Sequence, residues 1–190
     1  MSSSDVVARH RAAGREFEAA MPERVASITL LNTMIEAQEF HRPWMMEPFA
    51  RRGLGELWLA STIKPAFRQL MYLVGIQDKS ATPPEELDAY VELLKREDGG
   101  RAFLKVMRGF ERTAAKQRLY TTVLRDAPYP VQVVWGAHDP TLKLASYGER
   151  AKRVTGIAAI HPVPGKHFPQ EDQAPAIAER IAALARRDTA

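Results

Sequence analysis

Short runs of β-branched and apolar residues alternate with longer segments of helical periodicity along this chain. Buried strands are predicted at 26–33, at 131–135 and, more weakly, at 157–163. A helical pattern follows each of the last two strands, from Leu142 to Thr155 and from Gln173 to Arg187. This order predicts an α/β fold with three parallel strands joined by right-handed crossover helices.

A long insertion separates the first two predicted strands and carries mainly helical signals. These signals lie at 55–59, 66–74, 84–95 and 101–125. The third begins with Pro84 followed by two acidic residues, which is favourable in the first turn of a helix. We therefore expect an α/β core formed by 1–33 and 128–190, with a helical lobe formed by 34–127. The N-terminal segment from Asp5 to Ala20 is predicted as a weakly amphipathic helix.

Amino-acid composition and charge exclude several classes of protein function. The 190 residues are 45% hydrophobic and carry 27 basic and 23 acidic side chains, a net charge of +4. The basic residues are scattered, whereas nucleic-acid binding favours a concentrated basic face, so no nucleic-acid partner is expected. The absence of cysteine excludes disulfides and thiolate chemistry. No apolar run reaches the roughly 20 residues of a membrane span, and the polar start has no signal core. We expect a cytoplasmic protein.

No cofactor or metal is expected from the sequence motifs. Gly53-Leu54-Gly55 is an isolated Gly-x-Gly without a preceding strand, which does not make a dinucleotide site. The five histidines show no spacing typical of metal ligands.

Two polar residues follow predicted strands and are candidates for chemistry. The strand 131–135 stops at Gly136, and Asp139 lies just beyond it, before a proline. His167 lies in the loop after the next strand. Ligands and reacting groups collect outside the carboxyl ends of parallel strands, imidazole is a natural general base, and a carboxylate can fix its tautomer. The alternative is that Asp139 caps the next turn and His167 is an ordinary loop residue. His138 should point away from Asp139, and His161 is expected to be structural.

The segments Trp135-Gly136-x-x-Asp139-Pro140 and Gly165-x-His167-Phe168, separated by one helix, resemble the C-terminal end of α/β-hydrolases. The resemblance runs from Pro22 to Leu184 and is greatest to the haloalkane dehalogenase and epoxide hydrolase branch. It implies that the predicted strands correspond to strands six to eight, with Asp139 as the acid and His167 as the base. It also implies that 34–127 is a cap, and that the reaction is hydrolysis of carbon–halogen, epoxide or ester bonds in small apolar substrates.

The nucleophile that this family carries has no counterpart in the sequence. The family places it on a Gly-x-Ser-x-Gly or Gly-x-Asp-x-Gly turn after the fifth strand. No serine here lies on such a turn, and Asp5 lacks the flanking glycines. No oxyanion-hole loop matches either. A hydrolase that is truncated and inactive alone is therefore expected. The alternatives are a non-catalytic module that binds apolar ligands and one half of a split hydrolase.

Two further expectations concern binding. Trp44, Phe49 and Trp58 are candidates to line an apolar substrate cavity under the cap, unless they form the core of the cap itself. With no fifth strand, the strand at 28–32 would have an unpaired edge, and such edges attract other chains. Self-association or a partner at that edge is therefore predicted.

Overall fold

The computed structural model describes residues 4–9 and 19–187 and contains one parallel sheet. Its strands, in spatial order, are β1 (Ser4–Arg9), β2 (Val25–Leu31), β3 (Val131–Gly136) and β4 (His161–Val163). Each neighbouring pair runs parallel. The predicted α/β class is confirmed, and β2, β3 and β4 occupy the three strand segments that the hydrophobic pattern indicates.

Strand β1 corrects the sequence interpretation of the N-terminal segment. Its residues were predicted to begin a helix at Asp5, yet Val6 pairs with Ile28 and Ala8 with Leu30. The predicted helix continues through 10–18, which lie outside the described residues. Val6 and Val7 are β-branched and favour extended backbone. Hydrogen bonding to the apolar strand β2 thus overrides a weak helical pattern.

The pairing of β1 with β2 also corrects the prediction of an exposed edge at 28–32. Strand β2 is bonded to β1 on one side and to β3 on the other. Its backbone N–H and C=O groups therefore belong to two ladders, and self-association through an unpaired 28–32 edge loses its structural basis.

Strands β2 and β3 are buried on both faces because they alternate apolar side chains between two clusters. Ile28, Leu30, Val133 and Trp135 pack on one face with residues from the flanking helices. Leu31 and Val134 pack on the opposite face with Val163 and Ile177. This alternation follows from the two-residue period of a strand, and continuous burial is typical of a parallel sheet covered by helices.

The chain between β2 and β3 is helical, and residues 34–127 are called the cap segment below. Its α-helices are α1 (Leu54–Ser61), α2 (Lys64–Leu70), α3 (Pro84–Lys95), α4 (Arg101–Arg108) and α5 (Ala114–Arg125). A π turn at Met71–Gly75 extends α2, and 3₁₀ turns lie at Ala37–Glu39, Trp44–Met46 and Pro48–Ala50. The helix predicted over 101–125 is two helices. Thr113 explains the second start, since its hydroxyl accepts the backbone N–H of Lys116 at 3.2 Å.

The cap segment has its own apolar packing. Phe49, Leu59 and Leu104 form one cluster, and Met71, Ile76 and Leu87 form another. Phe168, from the loop after β4, packs against the second cluster. The cap segment therefore contacts the α/β core next to the candidate base. Whether it forms a separate domain stays a prediction.

The remaining helices follow β3 and β4. A π turn at Leu144–Gly148 leads into α6 (Glu149–Thr155), and α7 (Pro169–Asp172) and α8 (Ala174–Arg187) follow β4. Strand β4 is shorter than predicted because Ile157 and Ile160 pack against the apolar cluster of Trp135 before the chain reaches the sheet. No helix in the described part of the chain is long and apolar enough to cross a membrane.

Candidate functional site

Asp139 lies in the turn beyond β3 and is almost fully buried, with 4% of its surface exposed. Its Oδ1 accepts the backbone N–H groups of Thr141 at 2.7 Å and Leu142 at 2.9 Å. Asp139 therefore does cap the following turn, as the alternative interpretation held. These bonds occupy one carboxylate oxygen and fix the orientation of the other.

The second oxygen of Asp139 meets the candidate base. His167 Nδ1 lies 2.8 Å from Asp139 Oδ2. An ionised carboxylate only accepts hydrogen bonds, so Nδ1 carries the proton in this pair. The predicted approach of Asp139 and His167 at the carboxyl end of the sheet is confirmed. The histidine side chain is 12% exposed, so the pair is largely shielded from water.

The backbone continues the parallel pairing beyond the strand ends and brings the two loops together. Ala137 N donates to Val163 O at 2.9 Å, and His138 N donates to Gly165 O at 3.0 Å. Gly136 permits this approach, because a Cβ atom there would lie 2.1 Å from the carbonyl oxygen of Lys166. A side chain at 136 would thus collide with the loop that carries the base.

Asn32 is a site residue that the sequence interpretation missed. It follows β2, is 1% exposed and has φ of 32°, an unusual value for a non-glycine residue that asparagine tolerates. Its Nδ2 donates to Asp139 Oδ2 at 2.7 Å and to Lys166 O at 3.1 Å, and its Oδ1 accepts Gly136 N–H at 2.8 Å. A polar amide at the carboxyl end of an apolar strand was the available signal.

The other histidines near the sheet lie as expected. His138 is exposed while its neighbour Asp139 is buried, so the two side chains point apart. His161 begins β4. Among the described residues, no group of three or more His, Asp or Glu side chains is arranged to hold a metal ion.

The three aromatic candidates for substrate lining lie at different depths. Phe49 is 7% exposed and packs edge-on against Phe103 in the cap core, which is the alternative placement. Trp44 is 76% exposed, and Trp58 is 38% exposed with its indole N–H donating to Met45 O. A depression of about 630 Å³ that is open to solvent lies beside Asp139, and its lining includes none of the three aromatic residues. Their role in substrate binding stays a prediction.

No protein-family model matches the sequence, and no curated protein matches it. Solved structures of α/β-hydrolases do match in fold. The chain therefore has the α/β-hydrolase fold.

Three of these structures show the extent of the likeness. The 2-hydroxy-6-oxo-6-phenylhexa-2,4-dienoate hydrolase BphD from Rhodococcus sp. strain RHA1 is 19% identical with a TM-score of 0.69, over 97% of this chain and 64% of its own. DbjA is 21% identical with a TM-score of 0.72, over 98% of this chain and 68% of its own. Cfl2 from Burkholderia cenocepacia is 19% identical with a TM-score of 0.72, over 94% and 64%. The chain thus spans 64% of the length of BphD.

Proposed function

We propose that Asp139 and His167 are the acid and base of a hydrolytic site for small apolar substrates with an ester, carbon–halogen or epoxide bond. The observation that carries this proposal is the 2.8 Å contact between His167 Nδ1 and Asp139 Oδ2 at the ends of adjacent parallel strands. The α/β-hydrolase fold of the chain supports it.

The geometry suits an acid–base role. The carboxylate holds the proton on Nδ1, so Nε2 is the nitrogen that would take a proton from a nucleophile or a water molecule. Asp139 would also stabilise the imidazolium that forms. The bonds from Thr141, Leu142 and Asn32 keep the carboxylate fixed, so little reorganisation would accompany the proton transfer.

The nucleophile is the part that the chain does not supply in the form typical of the family. Strand β1 occupies the place of the fifth strand, next to β2, and the segment that begins at its end reads Arg-His-Arg-Ala-Ala-Gly-Arg over 9–15. That segment contains no serine, threonine, cysteine or aspartate. Because a triad enzyme loses most of its rate without the nucleophile, the isolated chain should not turn substrate over.

The test is an assay of the purified chain against short aryl esters, haloalkanes and epoxides, with His167→Ala as the control. No turnover above the control is expected. Turnover that disappears in His167→Ala would show that the chain carries its own nucleophile. Turnover restored by adding a polypeptide with the missing elbow would establish that this chain is one half of a split hydrolase.

A second candidate function is a non-catalytic module that binds apolar ligands. The observation that favours it is the same lack of an elbow motif in the sequence, combined with a retained cap segment. Calorimetric titration with small aromatic and aliphatic ligands distinguishes the two. Saturable binding that survives Asp139→Ala and His167→Ala, without turnover under any condition, would favour the module over the hydrolytic site.

A further inference from the structure

The end of a cap helix is joined to the loop that carries His167. Four consecutive carbonyl oxygens, of residues 72–75, accept hydrogen bonds from three consecutive residues, 166–168. Lys166 Nζ donates to Tyr72 O at 2.9 Å and to Leu73 O at 3.0 Å, His167 N donates to Val74 O at 3.3 Å, and Phe168 N donates to Gly75 O at 2.9 Å.

These bonds satisfy groups that a helix cannot satisfy itself. The last four carbonyls of a helix have no partner within it, and its C-terminus carries a partial negative charge that favours a cation. An ammonium group has three donors and can reach two carbonyls at once. Lys166 therefore matches the end of the Met71–Gly75 turn in both charge and hydrogen bonding.

The main chain of Lys166 is fixed to the sheet at the same time. Its carbonyl oxygen accepts Asn32 Nδ2 at 3.1 Å and lies against Gly136, where a Cβ atom would be only 2.1 Å away. The backbone of Lys166 is thus held by the network around Asp139, and its side chain is held by the cap segment. The next residue is His167.

A ring contact provides a second connection between the cap segment and His167. Phe168 packs edge-on against the His167 ring, with centroids 4.8 Å apart and planes at 67°. Phe168 also lies close to Gly75, where a Cβ atom would be 2.6 Å from the Phe168 ring. A displacement of the Met71–Gly75 turn would therefore act on the imidazole through Phe168 and through Lys166.

We propose that Lys166 is a positioning residue, which locks the Met71–Gly75 turn to the His167 loop and so sets the imidazole against Asp139. This inference rests on the proposed acid–base role of His167. It predicts that the position of the cap segment and the orientation of the base are coupled, so that lifting the turn from the sheet releases His167.

The test compares Lys166→Met and Lys166→Arg in the full chain by NMR. Methionine keeps the length of the stem but has no donors, whereas arginine keeps the charge and the donors. In Lys166→Met the amides of His167 and Phe168 should exchange roughly tenfold faster, because the turn opens more often. The Nδ1–H proton resonance of His167 should broaden or disappear. Lys166→Arg should restore both readouts to within about twofold of the original chain.

Lys64→Met is the matched control. Lys64 lies in α2, the helix that the Met71–Gly75 turn extends, and it pairs with Glu92 instead of the His167 loop. It should change neither readout. If Lys166→Met does not fold, Gly75→Ala gives the second route, since it displaces Phe168 while Lys166 remains. Unchanged exchange and an unchanged Nδ1–H resonance in Lys166→Met, or in Gly75→Ala where that variant decides, would overturn the inference.

The same spectra separate failure of this inference from failure of the proposed function. A His167 Nδ1–H resonance that is present in the original chain, lost in Asp139→Ala and insensitive to Lys166→Met leaves the acid–base pair intact and removes only the coupling. A resonance that is absent in the original chain counts against the pair itself and, with it, against the positioning role.

Discussion

The amide of Asn32 lies 2.7 Å from Asp139 Oδ2, the same oxygen that accepts the hydrogen bond from His167. The other end of that amide accepts the backbone N–H of Gly136 at 2.8 Å. Asn32 is therefore a buried bridge between the ends of β2 and β3, and it orients the carboxylate towards the histidine.

Replacing Asn32 by alanine should lower the free energy of unfolding by about 2–3 kcal/mol. The change leaves the Gly136 N–H without its acceptor and removes one donor from Asp139, and unsatisfied buried groups cost about 1–3 kcal/mol each. Urea denaturation measures the loss, and the Nδ1–H resonance of His167 should shift with it.

Gln132→Ala is the control for Asn32→Ala, because Gln132 makes a buried 2.9 Å bond to Thr29 between the same two strands. It should lower stability and leave the His167 resonance in place. If the His167 resonance responded identically to both variants, Asn32 would have only a structural role and would not orient the carboxylate towards His167.

Replacing Asp139 by alanine should cost about 3–5 kcal/mol of stability. Four N–H groups lose their acceptor: those of Asn32, Thr141, Leu142 and the His167 ring. Removing one partner from a buried hydrogen-bonded network is among the costliest substitutions. Urea denaturation provides the measurement. The neighbouring exposed change His138→Ala should stay within about 0.5 kcal/mol of the original chain, and a similar loss in both variants would contradict the structure of the turn.

Gly136→Ala should destabilise the chain by about 1–3 kcal/mol or more and displace the His167 loop. The new Cβ would lie 2.1 Å from the carbonyl oxygen of Lys166, which belongs to the backbone and cannot rotate away. Thermal denaturation and the Nδ1–H resonance of His167 report the two effects. Gly109→Ala is the comparison, since its Cβ would lie 3.1 Å from a carbonyl, and it should be tolerated better. Equal stability of the two variants would contradict the close approach at Gly136.

The ion pair between Glu56 and Arg108 should appear in the pH dependence of stability. The Arg108 side chain, which donates to Glu56 Oε2 at 2.8 Å, lowers the pKa of Glu56 from 4.5 to about 2. Because the pKa of Glu56 is lower in the folded state than in the unfolded state, its carboxylate stabilises the folded state. This stabilisation is complete above pH 4.5 and is lost as the pH falls through about 2.

The stability difference between the original chain and Glu56→Gln should therefore be constant above about pH 5 and vanish near pH 2. Urea midpoints across this range provide the measurement. In Arg108→Met the pKa of the Glu56 carboxyl should return towards the ordinary value, as measured by NMR titration. A pH-independent difference would show that the pair does not hold the carboxylate.

The sequence predicted the parts of the site that depend on local pattern. Apolar residues from Val131 to Trp135 indicate a buried strand, and a strand that ends at a glycine places the next polar residues at the edge of the sheet. The same reasoning located His167. Residues that are close in sequence determine which segments are buried strands and in which direction each strand runs. These two properties are sufficient to place Asp139 and His167 at strand ends.

The sequence interpretation failed where a long-range partner decides the outcome. Val6 and Val7 fit a weak helix when considered alone, and only the neighbouring strand β2 makes them a strand. For Phe49 the sequence left cavity lining and the cap core as alternatives, and only the structure shows its contacts with Leu59 and Leu104 in the cap core. A side-chain pattern shows that a residue is buried but does not identify what it is buried against.

By itself, the sequence determined the α/β class, the strands β2, β3 and β4, and the two strand ends that carry Asp139 and His167. Only the tertiary structure decided that Asn32 binds Asp139, across 107 residues of chain, and that Lys166 binds the cap turn, across 94 residues. The reason is physical. Burial and backbone preference are encoded locally, whereas a hydrogen bond needs its two atoms within about 3 Å, and only the packing of distant segments sets that distance.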